Sequence, residues 1–325
     1  MTDPTATGRT GKTGRTARAG RTAQETAVPV RGGELAVSRW PGAGEPVIAL
    51  HGITANGRSF APLAAALGED VPLYAPDLRG RARSAALPGP YGLAAHTEDV
   101  IALLDHLGRE RTVLVGHSMG AFVAALTAAR HPDRIAGVVL VDGGVGFPAP
   151  AGTDIDELLE AVIGPAMRRL SMTFPDREAY RAFFREHPAL GPHWNDDVRA
   201  YVDRDLVGRA PELRSSCVLE AVRADGADVL ADPETLAAVR TAASAGVPMT
   251  LLWAERGMLD EPRGLYDEDR LAAAGLGPGP GSGVTVRCVP GANHYSVLLA
   301  PGATAAVRTA LEEIRARTAP EDNRA

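Results

Sequence analysis

The run Val113-Leu114-Val115-Gly116-His117-Ser118-Met119-Gly120-Ala121 constrains this chain more than any other stretch. Aliphatic residues lead into Gly-x-Ser-x-Gly, and an Ala-rich apolar segment with helical spacing follows. The pattern predicts a buried strand, a sharp turn and a helix, with Ser118 at the apex. A serine held there needs a strained backbone. Side chains at positions 116 and 120 would run into neighbouring backbone, which accounts for both glycines. The following helix would aim its positive N-terminal end at the hydroxyl. Gly-x-Ser-x-Gly alone is common, and it is the strand–turn–helix context that makes Ser118 a candidate nucleophile.

Other segments carry comparable punctuation. Val47-Ile48-Ala49-Leu50-His51-Gly52-Ile53 reads as a buried strand ending in His-Gly. Leu73-Tyr74-Ala75-Pro76-Asp77-Leu78-Arg79-Gly80-Arg81 is followed by Ser84. Near the end, the strand Val284–Pro290 runs into Gly291-Ala292-Asn293-His294-Tyr295. Strand and helix patterns alternate from Leu35 to Ala316, which predicts an α/β fold with a mostly parallel sheet.

In this order the motifs resemble the α/β-hydrolase superfamily, in its serine-nucleophile branch, over roughly residues 35–316. The resemblance implies helices on both faces of the sheet and assigns roles. The backbone N–H groups of Ile53 and Met119 would form an oxyanion hole, and His294, in the loop after the last strand, would be the base. The position of His51 in its motif implies a structural role. The Asp77–Ser84 segment is similar to the family's Asp-x-Arg-Gly-x-Gly-x-Ser turn, with Ala82 at the second glycine. Asp77 and Arg79 are read there as an ion pair holding a loop.

The acid departs from the family pattern. The family usually places an aspartate in Gly-x-x-Asp after its seventh strand, here Met249–Ala254, but Gly257 stands at that position. Asp260 lies three residues further on. Asp142 ends the sixth strand, Val138–Asp142, where some branches of the family carry their acid. Either could orient the imidazole. The reading leans to Asp142 over Asp260, with Glu255 behind both. An ordinary turn-capping role would also explain Asp142 beside Gly143-Gly144.

More than a hundred residues separate Asp142 from Val247, far more than one crossover helix needs. The segment reads as helices over Asp154–Met172, Asp176–Glu186, Asn195–Leu206 and Pro211–Leu230, broken by Pro and Gly. The resemblance therefore extends to relatives with a helical cap after strand six. The expected organisation is a tail at 1–26, a core at 27–146 and 244–318, a cap at 147–243 and a flexible C-terminus at 319–325. Met167, Leu170, Met172, Phe174, Phe183, Phe184 and Trp194 are candidates for an acyl-side wall, although for any one of them packing of the cap onto itself or onto the core is the stronger reading. His187 and His193 lack metal-ligand spacing and read as surface residues.

The first 26 residues are Thr, Gly and Arg with almost no large apolar side chains, and Gly-Arg-Thr recurs at 8–10, 14–16 and 20–22. Such a segment cannot bury enough to fold and should be disordered. Within it Ala6–Thr13 nearly matches a phosphate-binding loop, but no buried strand precedes it and no helix follows. The net charge of −6 argues against a nucleic-acid partner. The chain contains neither a signal-peptide core nor a membrane-spanning run, so the cytoplasm is the default expectation. Cys217, expected on a cap helix, and Cys288 read as small buried hydrophobes and not as a disulfide. Residues 275–283 read as a flexible loop.

The resemblance implies hydrolysis of a small-molecule acyl substrate, an ester or lactone first, with no metal or organic cofactor. Thioester and carbon–carbon bond hydrolysis use the same residues. A relative that only binds ligands is the alternative suggested by Gly257. Oligomeric state is left open.

Overall fold

The computed structural model describes residues 21–147, 152, 154–276 and 283–318. Strands β1 (Gln24–Val30), β2 (Gly33–Trp40), β3 (Val47–Leu50), β4 (Leu73–Pro76), β5 (Thr112–His117) and β6 (Ile135–Val141) alternate with helices α1 (Ala61–Leu67), α2 (Leu93–His106) and α3 (Met119–Arg130). After β6 come α4 (Ile155–Leu170), α5 (Arg177–Arg185) and α6 (Asp196–Asp205), then the short pair β7 (Leu206–Val207) and β8 (Arg214–Ser215). The chain returns through α7 (Leu219–Ala231), α8 (Pro233–Ser244) and β9 (Met249–Ala254). It ends with α9 (Glu268–Ala273), β10 (Val284–Val289), α10 (Ser296–Leu299) and α11 (Pro301–Thr318).

Eight strands form one sheet in the order β1-β2-β4-β3-β5-β6-β9-β10. Those from β4 to β10 run parallel, and β1 and β2 pair antiparallel at one edge. The parallel strands are apolar on both faces because side chains alternate and helices cover each side. Ile48, Leu50, Leu114, Val138, Leu140 and Leu251 join the core under α2, α3 and α8. Their neighbours Val47, Ala49, Val113, Val115, Val139 and Leu252 pack on the opposite face against α1 and α11. The connections place the C-terminal ends of β5, β6 and β10 together at one rim, where ligands bind in open parallel sheets.

Several expectations need correction. Residues 1–20 of the expected tail lie outside the described residues, but Gln24, Glu25 and Thr26 belong to β1 and pair with Arg39, Ser38 and Val37. The ladder to β2 supplies the hydrogen bonds that composition alone could not foresee. The expected cap boundary at 243 falls too late, because Ala238, Val239 and Ala242 of α8 are buried in the core cluster with α3. The helix expected from Pro211 begins only at Leu219, since the preceding residues pair as β7 and β8. Cys217 therefore lies before that helix, half-buried and free, and Cys288 is exposed and free. Asp77 and Arg79 do not pair with each other. Asp77 accepts from Arg204 Nε at 2.9 Å, and Arg79 grips Asp99 through Nη2 at 2.7 Å and Nε at 3.1 Å. Among the described residues no helix is long and apolar enough to cross a membrane.

Candidate active site

Ser118 stands between β5 and α3 with φ 54° and ψ −124°, a conformation that non-glycine residues rarely adopt and that costs about 1–3 kcal/mol. The close approach around it is real. A Cβ on Gly120 would lie 2.0 Å from the Leu50 carbonyl oxygen, and one on Gly116 would lie 2.2 Å from that of Gly120. The first amides of α3, beginning at Met119, have no carbonyl one turn earlier to bond, and they carry the positive end of the helix dipole.

His294 lies in the turn between β10 and α10 and is 4% exposed. Its Nδ1 is 2.6 Å from Oδ2 of Asp142, which is fully buried at the end of β6 with φ 44°. The other Asp142 oxygen accepts from the Ala254 N–H at 2.9 Å. Both carboxylate oxygens are thus held, and the buried acid meets a compensating partner on each. The imidazole Nδ1 is committed to Asp142, which leaves Nε2 for other chemistry. Asp260 is not brought to His294. It pairs with Arg256 Nε at 2.8 Å and accepts from Asn293 Nδ2 at 3.0 Å. Glu255 accepts from the Gly291 N–H at 2.7 Å, also away from the imidazole.

Two other histidines are buried supports. The backbone N–H of Leu78 donates to His51 Nε2 at 2.8 Å, so Nδ1 carries the proton and donates to the Gly52 carbonyl at 2.8 Å. Burial lowers His51 to about 3 and keeps it neutral. His117, inside the serine motif, donates from Nε2 to the His294 carbonyl at 2.8 Å and sits 4.7 Å from the His294 ring. Burial, and then the nearby His294, push it well below the ordinary imidazole value. Nothing in the sequence pattern marks His117 as the prop beneath His294.

Two adjoining cavities meet at Ser118. The first, about 420 Å³, is lined by Ser118, His294, Arg169, His187, Phe183 and Phe184 among others. The second, about 360 Å³, lies on the Met119 side and is bounded by Phe122, Val145, Phe147, Leu159 and Val229. Ile53 borders both, as does Ile163, where α4 is broken by non-helical backbone two residues before Pro165. Proline cannot donate the hydrogen bond that would keep the helix straight there. Of the apolar residues expected to form a wall, Phe183 and Phe184 reach the first cavity. Met167 and Leu170 pack against Leu159, Ile163 and Val222, Phe174 packs against Tyr180, and Trp194 lies under Arg185. Met172 is exposed. His187 and His193 are half-buried, not surface residues, and His187 faces the first cavity.

Long-range ion pairs hold this rim. Arg81 pairs with Asp225 of α7, both fully buried, and donates from Nε to the Ile53 carbonyl at 2.9 Å. Arg204 of α6 reaches Asp77, which also accepts from the Gly57 and Arg83 amides at 3.0 Å each. Sequence reading missed both clusters because their partners stand more than a hundred residues apart. Among the described residues no group of three or more His, Cys, Asp or Glu side chains is placed to hold a metal ion.

The family model of the alpha/beta hydrolase fold matches residues 45–301. Lipase LipV of Mycobacterium tuberculosis is 37% identical over 131 residues, 40% of this chain and 48% of that protein. The 2-(acetamidomethylene)succinate hydrolase of Mesorhizobium japonicum is 32% identical over 145 residues, 45% of this chain and 49% of that protein. The chain thus spans about half the length of the curated relatives it matches. The crystal structure of E-2-(acetamidomethylene)succinate hydrolase superposes with a TM-score of 0.71 at 26% identity, covering 90% of this chain and all of that one.

Proposed function

Because the chain belongs to the alpha/beta hydrolase fold family, we propose that it is a serine hydrolase cleaving a carboxylic ester or lactone of a small to medium apolar substrate through an acyl-enzyme. The relatives named above as a lipase and a hydrolase support hydrolysis as the reaction class. The observation that carries the reading is the buried His294–Asp142 pair, with its imidazole on the cavity that Ser118 also lines.

In this reading His294 Nε2 takes the Ser118 proton as Oγ attacks the acyl carbonyl. The negative oxygen is received by the Ile53 and Met119 amides, at the positive end of α3. The imidazolium gives its proton to the leaving oxygen as the carbon–oxygen bond breaks, and an acyl-Ser118 ester remains. Water then attacks that ester, its proton passes to His294, and the carboxylic acid leaves as Ser118 recovers its proton. Asp142 orients the ring and stabilises its cationic form.

The test is hydrolysis of p-nitrophenyl esters from acetate to decanoate by wild type and Ser118→Ala. Turnover that falls by at least about a thousand-fold in the variant fits an acyl-enzyme route. Ester turnover that survives the substitution overturns it.

A further inference from the structure

Building on the serine-hydrolase reading, we propose that the two cavities divide the substrate. The acyl chain occupies the chamber beside Met119, and the leaving group occupies the chamber under His294. The asymmetry follows from where the proton must go. The group that protonates the leaving oxygen has to lie on the leaving-group side of the reacting carbon. His294 lines the first chamber and is absent from the lining of the second. Ser118 borders both, so a carbonyl carbon bonded to its Oγ can send one substituent into each.

The chemistry of the walls matches this division. Around the second chamber stand Met119, Phe122, Val145, Phe147, Leu159 and Val229. Its charged lining among the described residues is Asp142 and Arg270, and both are engaged. Asp142 is bonded to Ala254 and His294, and the Arg270 guanidinium lies 4.2 Å from the Phe147 ring centre. At about 360 Å³ the chamber falls within the size range of small-molecule sites, which suits a medium-length aliphatic acyl chain.

The first chamber is walled largely by apolar side chains, among them Phe183, Phe184, Leu298 and Leu299, but it also holds hydrogen-bond donors. Arg169, 4% exposed, gives Nη1 to Tyr180 Oη at 2.8 Å and to Asp205 at 2.6 Å, and Nη2 to the Thr54 carbonyl at 3.4 Å. A guanidinium has five N–H donors, more than these three acceptors use. Ser59 borders the same chamber, and its buried Oγ has no hydrogen-bond partner among the described residues. The Arg169 charge is already matched by Asp205, and Glu261 also borders the chamber, so the leaving group that fits is neutral and carries an acceptor oxygen. The substrate class is a medium-chain acyl ester of a largely apolar alcohol that carries one acceptor oxygen. Phe183 and Phe184 then flank the alcohol and not the acyl chain.

A matrix of esters tests this, with acetyl to decanoyl chains crossed with butyl and 2-methoxyethyl alcohols, which differ by one methylene replaced by oxygen. Wild type should favour the 2-methoxyethyl partner several-fold. Val229→Trp, which narrows the second chamber, should cut kcat/KM for octanoyl relative to acetyl esters by roughly ten-fold or more, with the alcohol preference unchanged. Ala166→Phe, on the first chamber, should change the alcohol preference and leave the chain-length profile alone. Acetyl ester turnover in each variant shows that it is folded. A preference for butyl esters, or Ala166→Phe shortening the accepted acyl chain, overturns the division while Ser118-dependent turnover persists. Absence of Ser118-dependent ester turnover in wild type overturns the serine-hydrolase reading itself.

Discussion

Asp142 and Asp260 are two acids of the same type, placed in opposite circumstances. Asp142 is fully buried with one oxygen on the Ala254 amide and the other on His294, whereas Asp260 sits at a half-exposed ion pair with Arg256. In the proposed mechanism, Asp142→Asn keeps the shape but removes the charge that favours the imidazolium, so kcat should fall by about 10³–10⁴. Asp260→Asn should stay within a few-fold, because Asp260 bonds Arg256 and the Asn293 amide and not the His294 ring. Steady-state turnover of both variants on one ester decides between them, and the opposite ranking would move the acid to Asp260. At this scale Ser118 is legible because the steric demand on positions 116 and 120 leaves a local signature. The partner of His294 is not, since Asp142 and Asp260 are both loop aspartates and only the path of the chain across β9 separates them. His117 is less legible still: its bond to the His294 carbonyl spans 177 positions.

At the scale of elements, the strand–turn–helix around Ser118 is rigid because backbone passes through the space of two missing side chains. Gly120→Ala would set a Cβ 2.0 Å from the Leu50 oxygen, and β3 cannot move without unpairing from β5. The cost should be on the order of 3 kcal/mol or more. Gly302, in α11, meets nothing within 4 Å, so Gly302→Ala should be neutral or add up to about 1 kcal/mol through reduced freedom of the unfolded chain. Chemical denaturation of the pair measures both, and equal effects would contradict this account of the turn. Helix starts were legible where a side chain caps them. Asp154, Asp176 and Asn195 each accept backbone N–H bonds at the first turns of α4, α5 and α6. The stretch before α7 misled because its apolar spacing suits a helix, while Leu206–Val207 and Arg214–Ser215 found strand partners in each other.

For the whole molecule, the helices between β6 and β9 are joined to the sheet's loops and helices by buried charge, through Arg204 to Asp77 and Asp225 to Arg81 and His96. Such contacts between distant positions escape any reading by spacing, whereas the sheet and its covering helices follow from alternation along each strand. The buried histidines also make stability depend on pH. Burial holds His51 at about 3 and His117 well below its usual value. Below about pH 6.5 the unfolded chain takes up a proton at each that the folded chain refuses. Stability should therefore fall on acidification, by at most about 1.4 kcal/mol per pH unit for each group. Asp225, held low by Arg81 and His96 against the effect of burial, adds to the loss only within and below the carboxylate range, where Asp77 and Asp99, raised by burial, oppose it. Tm should decline between pH 7.5 and 5.5, and a flat or rising Tm across that interval would contradict the neutral burial of these rings.

The proposed chemistry requires Ser118 to be a nucleophile activated by His294. The most direct measurement of this is the mass of the protein, intact and after digestion, following exposure to a fluorophosphonate that phosphonylates activated serines. One adduct on the Ser118 peptide is expected in wild type, formed far more slowly in His294→Gln and Asp142→Asn and at an unchanged rate in Asp260→Asn. An unmodified Ser118, or labelling that ignores the loss of His294, would contradict the account.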